Sequence, residues 1–85
     1  MPTYTAPVGS ENAAWLASKG LDGPLAGNDW YAEDNGDGTV TFGEGAFSFL
    51  ASLPAEHDGC IEQDETGCRI WIEGDPYPVT TNDKR

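Results

Sequence analysis

An α+β fold, two short helices packed on a small antiparallel sheet built from two hairpins, is the class this sequence predicts. Three observations predict it. Ser10–Gly20 has the composition and caps of a helix, and Gly45–Leu53 carries apolar residues at helical spacing. Two turn signals, Asn35-Gly36-Asp37-Gly38 and Asp64-Glu65-Thr66-Gly67, each separate a pair of aromatic or β-branched runs. The chain has 85 residues, enough for one small acidic domain, 1–85. A core is available from Trp15, Leu16, Trp30, Tyr31, Val40, Phe42, Phe47, Phe49, Leu50, Leu53, Ile61, Ile70, Trp71 and Ile72. Three Trp, three Tyr and three Phe argue for a folded chain despite the charge.

In chain order, Tyr4-Thr5-Ala6 is expected to add an edge strand. Ser10 is a good N-cap residue, Glu11 lies at the positive end of the helix dipole, Lys19 falls in the last turn and Gly20 suits the position after it. Trp15 and Leu16 are expected to face the core, with Asn12 and Lys19 outward. Leu21–Gly27 reads as a loop.

The first hairpin joins Asp29–Asp34 to Gly38–Phe42. Either Asn-Gly, Asp-Gly or all four residues form the turn, and each choice keeps the same parity. Tyr31 is then on one face with Val40 and Phe42, and Trp30, Ala32 and Asp34 are on the other with Thr39 and Thr41. In Gly45–Leu53, Phe49, Leu50 and Leu53 share a side with Ala46, and Pro54 stops the helix.

Asp58-Gly59 leads into the second hairpin, Cys60–Gln63 with Cys68–Glu73. With Asp64–Gly67 as its loop, Ile61 shares a face with Cys68, Ile70 and Ile72. Glu62 then sits beside Arg69 on the opposite face, near Trp71 and Glu73. This register buries the most apolar side chains. It also puts Cys60 and Cys68 on opposite faces, so both are expected to be free thiols. Pro76-Tyr77-Pro78 is expected to end regular structure, leaving Met1–Thr3 and Thr80–Arg85 loose.

The charge is lopsided. Fifteen carboxylates face four Lys and Arg, a formal net charge of -11. Between Lys19 and Arg69 there is no basic residue, yet eleven acids occur there: Asp22, Asp29, Glu33, Asp34, Asp37, Glu44, Glu56, Asp58, Glu62, Asp64 and Glu65. Self-repulsion of this size works against compaction. Such a polyanion is repelled by nucleic acid and by anionic lipid, so direct binding to either is not expected. No apolar run approaches the ~18 residues of a membrane span, and no basic, hydrophobic leader is present. A soluble, cytoplasmic protein is expected.

No catalytic motif accompanies the acids. His57 is the only histidine, and none of Ser10, Ser18, Ser48 or Ser52 lies in a nucleophile-elbow pattern. Paired carboxylates in turns without a cleft are solvated acids, not a glycosidase pair. Cys60 and Cys68, taken with His57 and Asp58, lack the short paired spacing of a structural zinc site. No glycine loop precedes a Lys-Ser/Thr element. The chain is therefore expected to be no enzyme, with no metal and no cofactor.

Glu33–Glu44 resembles the calcium loop of EF-hand proteins, with Asn35, Asp37, Gly38, Val40 and Glu44 at its third, fifth, sixth, eighth and twelfth positions. Glu33 stands where that motif has Asp, and the preceding Asp29-Trp30-Tyr31 does not resemble an entering helix. A hairpin turn is the preferred reading.

Across the whole chain, size, charge and the mixture of aromatic and acidic residues resemble small acidic phage-encoded inhibitors, the DNA-mimic type of anti-CRISPR proteins. Those aimed at type I surveillance complexes are the nearest in character, and no single motif carries the likeness. The resemblance implies host-defence evasion by a non-enzymatic inhibitor in the cytoplasm of a bacterial host. An acidic surface would occupy the DNA site of a basic nucleic-acid-binding protein or CRISPR surveillance complex, without turnover. The expected contact residues are Glu33, Asp34, Asp37 and Glu44 at the first hairpin and Glu62, Asp64, Glu65, Glu73 and Asp75 at the second. Trp30 or Trp71 would serve as an aromatic anchor. The alternatives are an acidic protein–protein interaction domain without mimicry, or a calcium-binding EF-hand-like module.

Overall fold

Short runs of Thr, Val, Ile, Tyr and Phe seek partners across the chain, and in the computed structural model, which describes residues 3–19 and 30–82, they form one sheet. The order along the chain is β1 (Tyr4–Ala6), α1 (Ser10–Ser18), β2 (Ala32–Asp34), β3 (Val40–Phe42), α2 (Glu44–Ala51), β4 (Cys60–Asp64), β5 (Gly67–Ile72) and β6 (Asp75–Thr81). The strands lie in the order β2-β3-β1-β6-β5-β4, every neighbour antiparallel. The α+β class holds, but the two hairpins are parts of a single six-stranded sheet.

What joins them is a pair of strands, one expected at the edge of the sheet and one not expected at all. Tyr4–Ala6 is central: it pairs with β3 on one side and β6 on the other, correcting the edge-strand expectation. Pro76-Tyr77-Pro78 does not end regular structure but lies within β6, which also orders Thr80 and Thr81. The prolines are accommodated by the register. Ile72 and Asp75 close the two-residue Glu73-Gly74 turn, so Asp75, Tyr77 and Val79 direct their backbone groups to β5. Pro76 and Pro78 therefore aim their missing donors the other way, where β1 meets β6 only at Thr80 and Thr81. Asn82 N–H then donates to Thr3 C=O at 2.7 Å.

The parity of the first hairpin is reversed. Ala32 pairs with Phe42 and Asp34 with Val40, so Ala32, fully buried, shares the core face with both apolar residues of β3. The reason is an odd loop, Asn35–Thr39, closed by the Asn35 N–H to Thr39 C=O bond at 3.1 Å. Residues 29 and earlier in the expected strand lie outside the described residues, as do Gly20 and Leu21–Gly27. The second hairpin has the expected register, with Ile61 opposite Ile70 and Glu62 opposite Arg69.

Both helices pack on one face of the sheet. In α1 the buried stripe is Ala13, Leu16 and Ala17. Trp15 falls off that stripe and is 36% exposed rather than inward, with the Lys19 ammonium 4.7 Å above its ring. Ser10 is the first helical residue, not the cap: Gly9 occupies that position and no side chain caps the helix. Asn12 is half-buried and donates to Val8 C=O at 2.8 Å. α2 starts at Glu44 and ends at Ala51, with Ala46, Phe47 and Leu50 buried. Phe49, expected inside, is 37% exposed and packs on Trp30 with ring centroids 4.8 Å apart. Phe47 takes the inner place and stacks on Tyr4 at 3.9 Å. Val40, Phe42, Leu16, Leu50, Ile70 and Ile72 complete the core between helices and sheet.

Candidate functional site

The opposite face of the sheet carries Glu33, Thr41, Thr5, Thr80, Pro78, Pro76, Arg69, Trp71, Glu62 and Asp64, by the alternation of the registers. It is polar and internally bonded at its centre. Asn35 Nδ2 donates to Thr41 Oγ1 at 2.8 Å, and Asn82 Nδ2 donates to Thr5 Oγ1 at 2.6 Å. Carboxylates sit at its two edges, with Glu33 on β2 and Glu62 and Asp64 on β4.

The nine expected contact residues are not brought together. Five strand spacings separate β2 from β4, about 24 Å, and the accumulated twist turns the edge strands by roughly 100° or more. Strand direction divides the acids further. β2, β1 and β5 run one way; β3, β6 and β4 run the other. Asp34, Asp37, Glu73 and Asp75 consequently lie at one end of the sheet, and Glu44, Asp64 and Glu65 at the other, with Glu62 near it and Glu33 on the β2 edge.

At the second end the charge is partly cancelled. The Arg69 guanidinium donates to Asp64 Oδ2 and, at 3.4 Å, to Glu62 Oε1. Trp71 Nε1 also donates to Glu62 Oε1, at 3.1 Å. Asp64 Oδ1 accepts the Thr66 N–H and hydroxyl at 2.9 and 2.7 Å. Those Thr66 bonds, with the Arg69 charge behind them, hold the Asp64 carboxyl below the ordinary carboxylate range. The bond to Glu62, then the Asp64 charge, pushes the Arg69 guanidinium up.

At the first end no such cancellation occurs among the described residues. The Asn35–Thr39 loop holds Asp34, whose Oδ1 accepts the Gly36 N–H at 2.9 Å, and Asp37, whose Oδ1 accepts the Thr39 hydroxyl at 2.6 Å and N–H at 3.1 Å. These two Thr39 bonds lower the Asp37 carboxyl. Gly38 C=O accepts the Gly9 N–H at 2.7 Å and so fixes the start of α1, with Glu11 in its first turn, beside the loop. Across α1, a shallow cleft of about 240 Å³ is lined by Glu11, Asn12, Trp15, Asp58, Ile72 and Glu73. Asp58 Oδ1 accepts the Glu73 N–H at 3.0 Å. The end thus gathers Glu11, Asp34, Asp37, Asp58, Glu73 and Asp75. Lys19, the one described cation close by, is turned onto the Trp15 ring and the Asp58 carbonyl, 3.4 Å away.

Two of these acids, Glu11 and Asp58, are absent from the sequence-derived set. Each has an adequate local role, at a helix dipole and in a turn, and only the passage of α1 across the sheet end unites them. Trp30 packs against the core cluster and Trp71 is half-buried on the open face. Cys60 and Cys68 are free thiols, Cys60 buried. Burial pushes the Cys60 thiol up, opposed by its backbone hydrogen bond and reinforced by Glu62, Asp58 and Glu56.

The Glu33–Glu44 segment folds as strand, loop, strand and the start of a helix, so its first two loop positions, Glu33 and Asp34, lie in strand β2. Among the described residues no group of three or more His, Cys, Asp or Glu is placed to hold a metal ion. No described helix is long and apolar enough to cross a membrane. No protein-family model, curated protein or solved structure matches the chain.

Proposed function

We propose that this chain is a non-enzymatic inhibitor that presents an acidic surface in place of DNA and blocks a nucleic-acid-binding protein, with a type I CRISPR surveillance complex as the target class. The observation that supports it most is the uncompensated end of the sheet. Glu11, Asp58 and Glu73 line one cleft there, Asp34, Asp37 and Asp75 lie at the same end of the sheet, and the neighbouring Lys19 ammonium rests over the Trp15 ring and beside the Asp58 carbonyl. A second detail favours a role for that end. Glu73 takes a left-handed conformation, φ 54°, in a turn where Asn or Gly is far less strained. Strain kept at an exposed acidic tip is a mark of use.

The contact surface in this reading is Glu11, Asp34, Asp37, Asp58, Glu73 and Asp75. Glu62 and Asp64 are engaged by Arg69 and lie outside that surface. Attraction to a Lys- and Arg-lined groove would speed association and weaken steeply with salt. The test compares two triple variants against a DNA-loaded target complex. Glu11→Gln/Glu73→Gln/Asp75→Asn should lose most of the ability to displace DNA, while Glu44→Gln/Glu56→Gln/Glu65→Gln should keep it. Equal loss in both would refute a localised acidic site.

An acidic interaction domain without mimicry is the second reading, and one observation favours it: the carboxylates occupy both edges and both ends of the sheet. In that case contact is made by side chains other than the acids, and both triple variants bind as the parent does.

A further inference from the structure

β4 is the one edge of the sheet built to take another strand. Asp64 and Gly67 close the two-residue Glu65-Thr66 turn, so Asp64 and Glu62 direct their backbone groups to β5, while the Cys60 N–H donates back to His57 C=O at 3.3 Å. Ile61, 4% exposed, and Gln63, exposed, therefore aim their N–H and C=O groups away from the sheet, and among the described residues β5 alone pairs with β4. The other edge, β2, is three residues long and ends in Glu33-Asp34, the short charged form that blunts edge pairing. β4 has five residues, and a groove of about 610 Å³ runs along it. Leu53, Ala55, Ile61 and Trp71 supply its apolar walls, and Glu62 its charge.

We propose that this edge docks an extended segment of a partner protein, which adds as a seventh strand with apolar side chains in the groove and Lys or Arg beside Glu62 and Glu65. Main-chain bonding to Ile61 and Gln63 gives the segment its hold, and the groove and carboxylates give it selectivity. Charge decides the occupant. A second copy of this chain would bring another net charge of -11 to an acidic edge, whereas a basic segment is attracted to it. The site is separate from the acidic end above and stands whether or not that end imitates DNA.

The test uses a blocked peptide of roughly seven residues alternating lysine and valine, long enough to run past the five residues of β4. Titrated into the full chain and followed by amide hydrogen exchange, it should bind saturably and protect the Ile61 and Gln63 amides. Methylating its alternate backbone nitrogens, or placing a cation at the groove with Ala55→Arg, should weaken binding by about tenfold or more, equivalent to one or two lost main-chain bonds. Ala55 is exposed in a loop, so the variant folds. An alternating glutamate–valine peptide should not bind. The inference is overturned by no saturable binding, by equal affinity for the methylated peptide, by protection confined to other residues, or by a β4-mediated dimer that the peptide leaves intact.

Discussion

The Asp58 carboxylate accepts the backbone N–H of Glu73 at 3.0 Å, tying the loop before β4 to the turn between β5 and β6. Glu73 is the only described non-glycine residue with positive φ, and the bond from Asp58 holds it there. Two acidic residues are thereby joined at one end of the sheet.

Replacing Glu73 with Asn should relieve the left-handed strain. The expected gain is ~0.5–1 kcal/mol, a rise of about 2–8 °C in Tm for a domain of this size. Thermal unfolding of Glu73→Asn measures it. In the proposed function the same variant inhibits less well while being more stable, a combination a purely structural residue does not give.

Asp58→Ala should act oppositely on stability. It removes the acceptor for Glu73 and leaves the strained turn unsupported, at ~0.5–1.5 kcal/mol. Combined with Glu73→Gly, which tolerates the conformation unaided, its effect should shrink, and a double-mutant cycle of chemical denaturation reports the difference.

Core truncation sets the scale against which such effects are read. Leu16 is fully buried between α1 and the sheet, and Leu16→Ala should cost about 2–5 kcal/mol, a large share of the stability of so small a domain. Phe49→Ala, at a residue 37% exposed, should cost visibly less in the same urea titration.

Acid should loosen both hairpin turns. Asp37 and Asp64 are held below the ordinary value of 3.8 by their Thr39 and Thr66 bonds. Each binds its proton less readily in the folded chain than in the unfolded one. The stability they contribute is present above pH 3.8 and is lost as pH falls through their lower folded values. Between neutral pH and pH 3, the Asp64→Asn variant should lose less stability than the parent. Fluorescence-monitored unfolding of the two across that range checks the sign.

Thiol chemistry should be slow at Cys60. The residue is buried and its thiol is pushed up, so little reactive thiolate forms at neutral pH. Iodoacetamide labelling of the native chain, read by mass spectrometry of peptides, should modify Cys68 first and Cys60 at the rate of unfolding.

The second hairpin was legible because its signals are local and agree. Alternating Ile61, Ile70 and Ile72 set one face, Glu62 and Arg69 the other, and the turn between them has an even length. The first hairpin misled for the same reason. Asp37 takes both the N–H and the hydroxyl of Thr39, which extends the loop to Asn35–Thr39 and moves Ala32 to the core face. Strand β6 was hidden because it carries proline, and the central place of the expected strand β1 was hidden because its pairing joins residues at opposite ends of the chain, as in Tyr4 with Thr81. The excess of acid was plain from composition alone. Its placement was not, since Glu11, Asp37, Asp58 and Glu73 come to one end of the sheet only through the direction of strands that pair over long separations.

Competition with duplex DNA for a type I surveillance complex, measured across a salt series, decides whether the acidic surface takes the place of DNA. Binding of the chain and of DNA should be mutually exclusive, with affinity for the chain that falls steeply as salt rises and falls further in Glu11→Gln/Glu73→Gln/Asp75→Asn. Simultaneous binding of chain and DNA, or an affinity indifferent to salt and to those substitutions, would contradict the proposed function.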